Sequence, residues 1–341
     1  MSDLVRLGSN ENMLGPSPLG LEAIRKATLE AHLYPSNQDQ VLMEKLAAAI
    51  GHGVTTDQIV LGNGSGDVLA TIAHAYVSPG SQVVIPIPTF PSYKRVTYLN
   101  RGEVIAVPLK DYQMDLPGLL SAITPETTLL FLCNPNNPTG QIVTHRQMAD
   151  FLAQVPDHVT VVVDEAYIDF VDDPAFPRVT EFITAGYNII VARTFSKVYG
   201  LASLRVGYGF GNLERIAPVR KRRHSFQTGS MAYAGAAAAL NDEVYIVNTI
   251  DMVREGRNYL YGALSDIGLN FLRSQGFFVL LTDLKLDAQY IVDEALKQGL
   301  ILRHMDSFDM PGYVRISVGR PEDNKRAVEV LTNIMNANNL I

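Results

Sequence analysis

NIIVARTFSKVYGLASLRVGYGFG, residues 188–211, is the stretch around which this chain is organised. Its apolar run from Ile189 to Ala192 is predicted to be a strand that delivers Thr194, Ser196 and Lys197 to a turn. Arg205 follows eight residues after the lysine, at the start of a second apolar run. Alone, a Ser-Lys pair reads as an exposed turn with one solvated lysine. With two hydroxyls before it and a guanidinium after it, the lysine also has the parts of an amine that condenses with an aldehyde cofactor carrying a phosphate. Arginine suits phosphate because its planar fork gives two parallel charge-assisted hydrogen bonds.

Composition narrows the alternatives. A chain of 341 residues, 47% of them apolar, can bury a substantial core and is expected to divide into two or three domains. The formal charge of −7 gives no net basic field for nucleic acid, and the one dense basic cluster, Arg220 to Arg223, reads as a solvated helix face. A single cysteine, Cys133, forms neither an intrachain disulfide nor a multi-cysteine zinc site, which fits a reducing, cytoplasmic setting with no metal. The N-terminal MSDLVRLGSNENM has no apolar export segment, and every apolar run falls short of the roughly 18 to 20 residues of a membrane span. Neither export nor membrane insertion is expected.

Upstream, Gly8-Ser9-Asn10-Glu11-Asn12 and Gly15-Pro16-Ser17-Pro18 read as a polar arm, with Ser17 capping a helix that Tyr34-Pro35 closes. A helix over 40–50, a strand over 58–61 and the turn Gly62-Asn63-Gly64-Ser65-Gly66-Asp67 precede an apolar helix to about Tyr76. Amides at such a glycine-rich helix start make an anion site. A dinucleotide loop is the competing reading, but Gly-x-Gly-x-x-Gly counted from Gly62 or Gly64 ends on Asp67 or Leu69, and the strand over 82–87 runs into Pro88 rather than a carboxylate. Apolar strands over 127–133 and 159–163 end in Asn137-Pro138-Thr139-Gly140 and Asp164-Glu165-Ala166-Tyr167. A carboxylate at the end of a buried strand either pairs with a cation or caps the next segment. Helices over 213–224, 231–240 and 243–265 lead to a terminal α/β segment: strands over 276–281, 300–303 and 313–318, a helix over 288–298 and a last helix opened by Pro321-Glu322-Asp323.

These motifs in this order resemble fold-type I pyridoxal-phosphate (PLP) aminotransferases, most closely histidinol-phosphate aminotransferases, along essentially the whole chain. The pattern is a hydroxyl residue three before the lysine, Ser or Ala one before it, and Arg eight after it. The resemblance implies an α/β fold with a large, mainly parallel seven-stranded PLP domain over 34–240 and a small domain built from the arm, 1–33, and 241–341. It makes Lys197 the Schiff-base residue and proton carrier, puts Asp164 on the ring nitrogen, and puts Tyr167 and Asn137 on the phenolic oxygen. Phe90 and Ala166 take the two faces of the ring; Ser65, Gly66, Thr194, Ser196 and Arg205 take the phosphate. Tyr34 is expected to reach the partner's cofactor phosphate in a homodimer, and Asn12, Arg303 and Arg315 to bind substrate.

The implied reaction is ping-pong transamination between an amino donor and a 2-oxo acid, histidinol phosphate and 2-oxoglutarate in the version resembled. A related enzyme for aromatic or other amino acids, a decarboxylase and a silent PLP-fold binding protein are the alternatives. The chain departs from the pattern in three places: Asn12 replaces a tyrosine found in some relatives, Gly66 stands where an acidic residue is usual, and Ser225-Phe226-Gln227-Thr228-Gly229-Ser230 replaces Pro-Phe-Asn-Val-Asn. The last departure falls on the expected substrate side. The absence of Trp excludes a tryptophan stack on the ring.

Overall fold

The strands form where apolar runs allow burial on both faces. In the computed structural model, which describes residues 4–340, seven strands pair in the spatial order Ile59–Gly62, Gly207–Gly211, Ile189–Thr194, Thr160–Asp164, Thr127–Cys133, Gln82–Ile87, Glu103–Pro108. Gly207–Gly211 runs antiparallel to both neighbours and the other pairs are parallel. Alternate residues of each central strand serve different cores: Val161 and Val163 join the cluster under the helices Gln38–Ile50 and Ser230–Ala239, whereas Val162 joins the one under Ser65–Tyr76 and Leu213–Arg222.

The remaining elements build a second core. Arg303–His304, Val314–Ser317, Phe278–Thr282 and Asn270–Leu272 form a four-stranded antiparallel sheet in that order. It packs with the helices Glu243–Asp266, Ala288–Lys297 and Pro321–Ala337 around Val279, Leu281, Ile316 and Val330. The first described strand, Val5–Arg6, pairs in parallel with Leu300–Ile301, so this part of the N-terminal arm lies with the C-terminal elements, whereas its helix Pro18–Ala27 packs on Ser230–Ala239.

Local expectations are met unevenly. Ser17 caps the helix Pro18–Ala27, its Oγ accepting from the Gly20 amide at 3.1 Å. That helix passes into the short 3-10 turn Thr28–Glu30 and has ended before Tyr34-Pro35, so proline is not its stop. The segment over 300–303 is not one strand: it breaks at Leu302 into Leu300–Ile301 and Arg303–His304, which join different sheets. The basic cluster is only half solvated, since Arg220 pairs with Asp57 at 3.2 Å and Arg223 with Asp39 at 3.3 Å.

Candidate active site

The chemistry-bearing groups sit where the central strands of the large sheet end. Asp164 closes Thr160–Asp164, Thr194 closes Ile189–Thr194, and Ser196 and Lys197 occupy the turn that follows. This is the edge at which ligands of doubly wound α/β sheets bind. Two adjoining chambers open there, of about 380 and 370 Å³. Both are lined by Ser9, Phe90, Asn137, Tyr167 and Lys197. A larger cavity of about 700 Å³, between the arm and the helix Glu243–Asp266, is lined by none of the residues expected to bind cofactor or substrate.

The inner chamber collects Ser65, Gly66, Phe90, Asn137, Asp164, Ala166, Tyr167, Thr194, Ser196, Lys197 and Arg205. One end is an anion seat. Ser65 and Gly66 open the helix Ser65–Tyr76, where the first amides have no intrahelical acceptor. Thr194 Oγ donates to Ser196 Oγ at 2.9 Å, joining the two hydroxyls. Arg205 is held in the left-handed region, φ 53°, which is costly for a bulky residue, and its guanidinium lies against Gly64. A β-carbon at Gly64 would stand 3.0 Å from the Arg205 Cζ, so only glycine lets the arginine approach.

At the other end Asp164 is buried, accepting from the Tyr93 hydroxyl at 2.9 Å through Oδ2 and from the Ala166 amide at 3.1 Å through Oδ1. Burial pushes this carboxyl up to about 6 despite both donors. Lys197 Nζ donates to the Asn10 carbonyl at 2.9 Å and lies 5.6 Å from the centre of the Tyr167 ring. Burial, with the positive charges of Arg315 and Arg205, lowers its amine to about 8. Burial also lifts the Tyr167 hydroxyl, which accepts from Asn10 Nδ2 at 2.9 Å, to about 12.

The outer chamber holds the two arginines. Arg303 and Arg315 are cross-strand partners in the small sheet, so their side chains share a face. Arg315 is buried between the Phe278 and Phe308 rings and donates to Asn137 Oδ1 at 2.5 Å and to the Gly8 carbonyl at 3.2 Å. Its Nε has no partner. Arg303 is exposed and donates to Ser307 Oγ at 3.0 Å.

The sequence matches the family described as aminotransferase class I and II over residues 2–331. The chain belongs to the class I and II aminotransferases. Similar curated relatives include histidinol-phosphate aminotransferases of Symbiobacterium thermophilum, 40% identical over 97% of this chain and 90% of the relative, and of Moorella thermoacetica, 37% identical over 98% and 86%. Among solved structures, histidinol-phosphate aminotransferase from Sinorhizobium meliloti in complex with pyridoxal-5'-phosphate superimposes with a TM-score of 0.89 at 30% identity, covering 98% of this chain and 91% of that one.

The inner chamber of this aminotransferase fits PLP on its own chemistry. An anion seat stands at one end, a buried carboxylate suited to a protonated ring nitrogen at the other, and a depressed amine lies between them. Asn137 gives its oxygen to Arg315, which leaves its amide NH₂ for an acceptor in the chamber.

Two parts of the sequence expected on the substrate side lie outside both chambers of this chain. Asn12 does not face either chamber: its Nδ2 donates to the Tyr245 hydroxyl at 2.9 Å and to the carbonyls of Val198 and Lys197, and its Oδ1 accepts from the Leu14 amide at 3.0 Å. These bonds tie the arm to the lysine turn and to the helix Glu243–Asp266. The altered segment 225–230 lines neither chamber of this chain: Thr228 Oγ1 donates to Asn63 Oδ1 at 2.8 Å and Gln227 to Asp67, bracing the glycine-rich turn. Tyr34 lies outside both chambers, 80% exposed, with its ring 5.0 Å from that of Phe226.

Sequence reading missed Asn10 and Tyr93. Asn10 is buried at φ 53°, a region Asn tolerates, with its amide donating to Ser317 Oγ at 2.8 Å. The polar run around it held a signal for an arm residue of this kind, but not for which of two asparagines it was.

Proposed function

We propose that this aminotransferase transfers the amino group of histidinol phosphate to 2-oxoglutarate with PLP, working as a cytoplasmic homodimer. The observation that carries the substrate is the pair of arginines in the outer chamber. Neither Arg303 nor Arg315 has a carboxylate partner among the described residues, and burial and the neighbouring Arg303 charge lower Arg315 to about 10. A phosphate dianion relieves both charges, and its oxygens match two guanidinium forks. The names of the curated relatives support the same substrate.

When bound, PLP supplies an electron sink at the carbon that bears the transferred amine. The chain's residues do the rest. Asp164 holds the ring nitrogen protonated, Tyr167 and Asn137 hold the phenolic oxygen, and Ser65, Gly66, Thr194, Ser196 and Arg205 anchor the phosphate. Phe90 and Ala166 enclose the ring. Lys197 would move the proton, taking it at Nζ from the donor carbon as base and giving it back as acid. The division into a PLP domain over 34–240 and a small domain from 1–33 and 241–341 is supported by the separate seven-stranded and four-stranded sheets, while the helix Pro18–Ala27 packs on Ser230–Ala239 and adds Ile24 to the larger core.

For the dimer, Tyr34, Leu29, Leu33 and Phe226 are large side chains left open to solvent, and Phe226, against Tyr34, adjoins the Gln227 that braces the glycine-rich turn. Cys133 is a free buried thiol and no described helix is long and apolar enough to cross a membrane, in keeping with a cytoplasmic enzyme.

A half-reaction screen tests the substrate, following loss of the visible band with histidinol phosphate and with aromatic, acidic and basic amino acids. Histidinol phosphate should bleach it fastest. Arg315→Ala should cost about 2 to 5 kcal/mol with that donor, as for a buried charge pair, and the exposed Arg303→Ala about 1 kcal/mol. Fast bleaching by phenylalanine or tyrosine and none by histidinol phosphate overturns the substrate assignment and leaves the cofactor intact.

A further inference from the structure

Tyr93 is fully buried at the start of the helix Ser92–Leu99, its ring stacked flat on Phe131 at 4.6 Å and meeting the edge of Phe90 at 5.8 Å. Packing alone accounts for a phenylalanine here. The hydroxyl is a separate feature, and its acceptor is Asp164 Oδ2 at 2.9 Å. One side chain therefore touches both the ring expected to cover the cofactor and the carboxylate expected to hold its nitrogen.

Resting on the PLP assignment, we propose that Tyr93 is a positioning residue that keeps the shared proton on the cofactor's ring nitrogen rather than on Asp164. A carboxylate that accepts a hydrogen bond is a weaker base than the same carboxylate without it. In a dry site this difference is large, because no water replaces a lost donor. Only the Ala166 amide would remain on Asp164. The other titratable groups around the carboxylate are Cys133 from the neighbouring strand, Glu165 beside it and Lys197 from the turn. Cys133 is a poor donor whose thiol burial pushes up to about 12, and Glu165 adds negative charge, so neither substitutes for the hydroxyl. Without Tyr93's donation the proton moves towards Asp164, the ring loses positive charge, and the nitrogen that joins the cofactor to Lys197 becomes more basic.

The test is a spectrophotometric pH titration of the holoenzyme's visible band in Tyr93→Phe, which keeps ring, stack and volume. The midpoint should rise by about half to one pH unit, the usual scale for one hydrogen bond to a buried carboxylate. Phe131→Leu is the control: it loosens the same stack without touching the hydroxyl, so it should lower Tm and leave the midpoint in place. An unmoved midpoint in Tyr93→Phe, or an equal rise in Phe131→Leu, overturns the proposal. A wild-type protein with no visible band overturns the cofactor assignment and this proposal together, which separates the two failures.

Discussion

At Lys197 the surroundings make a positive charge costly, and this sets when the amine can react. Its value falls from an ordinary 10.5 to about 8, so the neutral, nucleophilic form gains about tenfold per pH unit up to that point. Capture of PLP by the apoprotein, followed as growth of the visible band, should therefore quicken about tenfold per unit from pH 6 to 8 and then level. A plateau already reached at pH 6 would contradict the geometry around the amine. Stability carries the same information with a definite sign. Between about 8 and 10.5 the unfolded chain holds a proton that folded Lys197 has lost, so this residue's contribution to apoprotein stability rises with pH there. Asp164, raised from 3.8 to about 6, is the reverse: the folded form holds the extra proton between those values, and stability from this residue falls as pH rises through them. Side chains whose role depends on their own chemistry, such as Lys197 and Arg205, were legible in the sequence. Asn10 was not, because it holds the amine with a main-chain carbonyl, a group every residue has.

Among the elements, Gly207–Gly211 shows how closely the anion seat depends on its backing. A β-carbon at Gly207 would stand 2.6 Å from the Gly64 carbonyl carbon and closer still to the Ser65 nitrogen, both main-chain atoms that cannot swing aside. Gly207→Ala should push the start of the helix Ser65–Tyr76 off the sheet, costing about 2 kcal/mol of stability. It should also weaken PLP affinity, read by equilibrium dialysis against the apoprotein. Normal affinity in a destabilised protein would mean that the helix start does not hold the phosphate. Behind the site, Glu165 and Arg193 pair at 2.8 Å across the two strands that carry Asp164 and Thr194. Elements of this kind were legible to different degrees. The strands Gln82–Ile87 and Thr127–Cys133 match their apolar runs because both faces are buried. Glu103–Pro108, an edge strand, was not recognised although Val104 to Val107 is an apolar run: four residues without turn signals at both ends do not tell strand from helix.

For the whole molecule, the exposed Tyr34 makes a prediction that no single chain can meet. Mixed dimers of Lys197→Ala and Tyr34→Phe subunits should recover activity at one of their two sites if the tyrosine acts across the interface. Confirmed heterodimers without recovery would count against it. Within one chain the two sheets are tied beside the outer chamber by the Lys94–Asp309 ion pair and the hydroxyls of Tyr112 and Tyr313, 3.2 Å apart. The sequence showed two bodies but not these ties, which join residues some two hundred positions apart and have no local signature. The arm is the longest-range tie of all: Val5 donates to the Gly299 carbonyl, Leu7 accepts from the Ser317 amide, and Asn10 reaches Ser317 and Lys197 together. Synthesis on the ribosome thus makes this wall of the site before the large sheet and its support after it. A nascent chain that has already finished the large sheet still lacks the strand on which Asn10 rests, so the amine is not fully seated until Ser317 has been added.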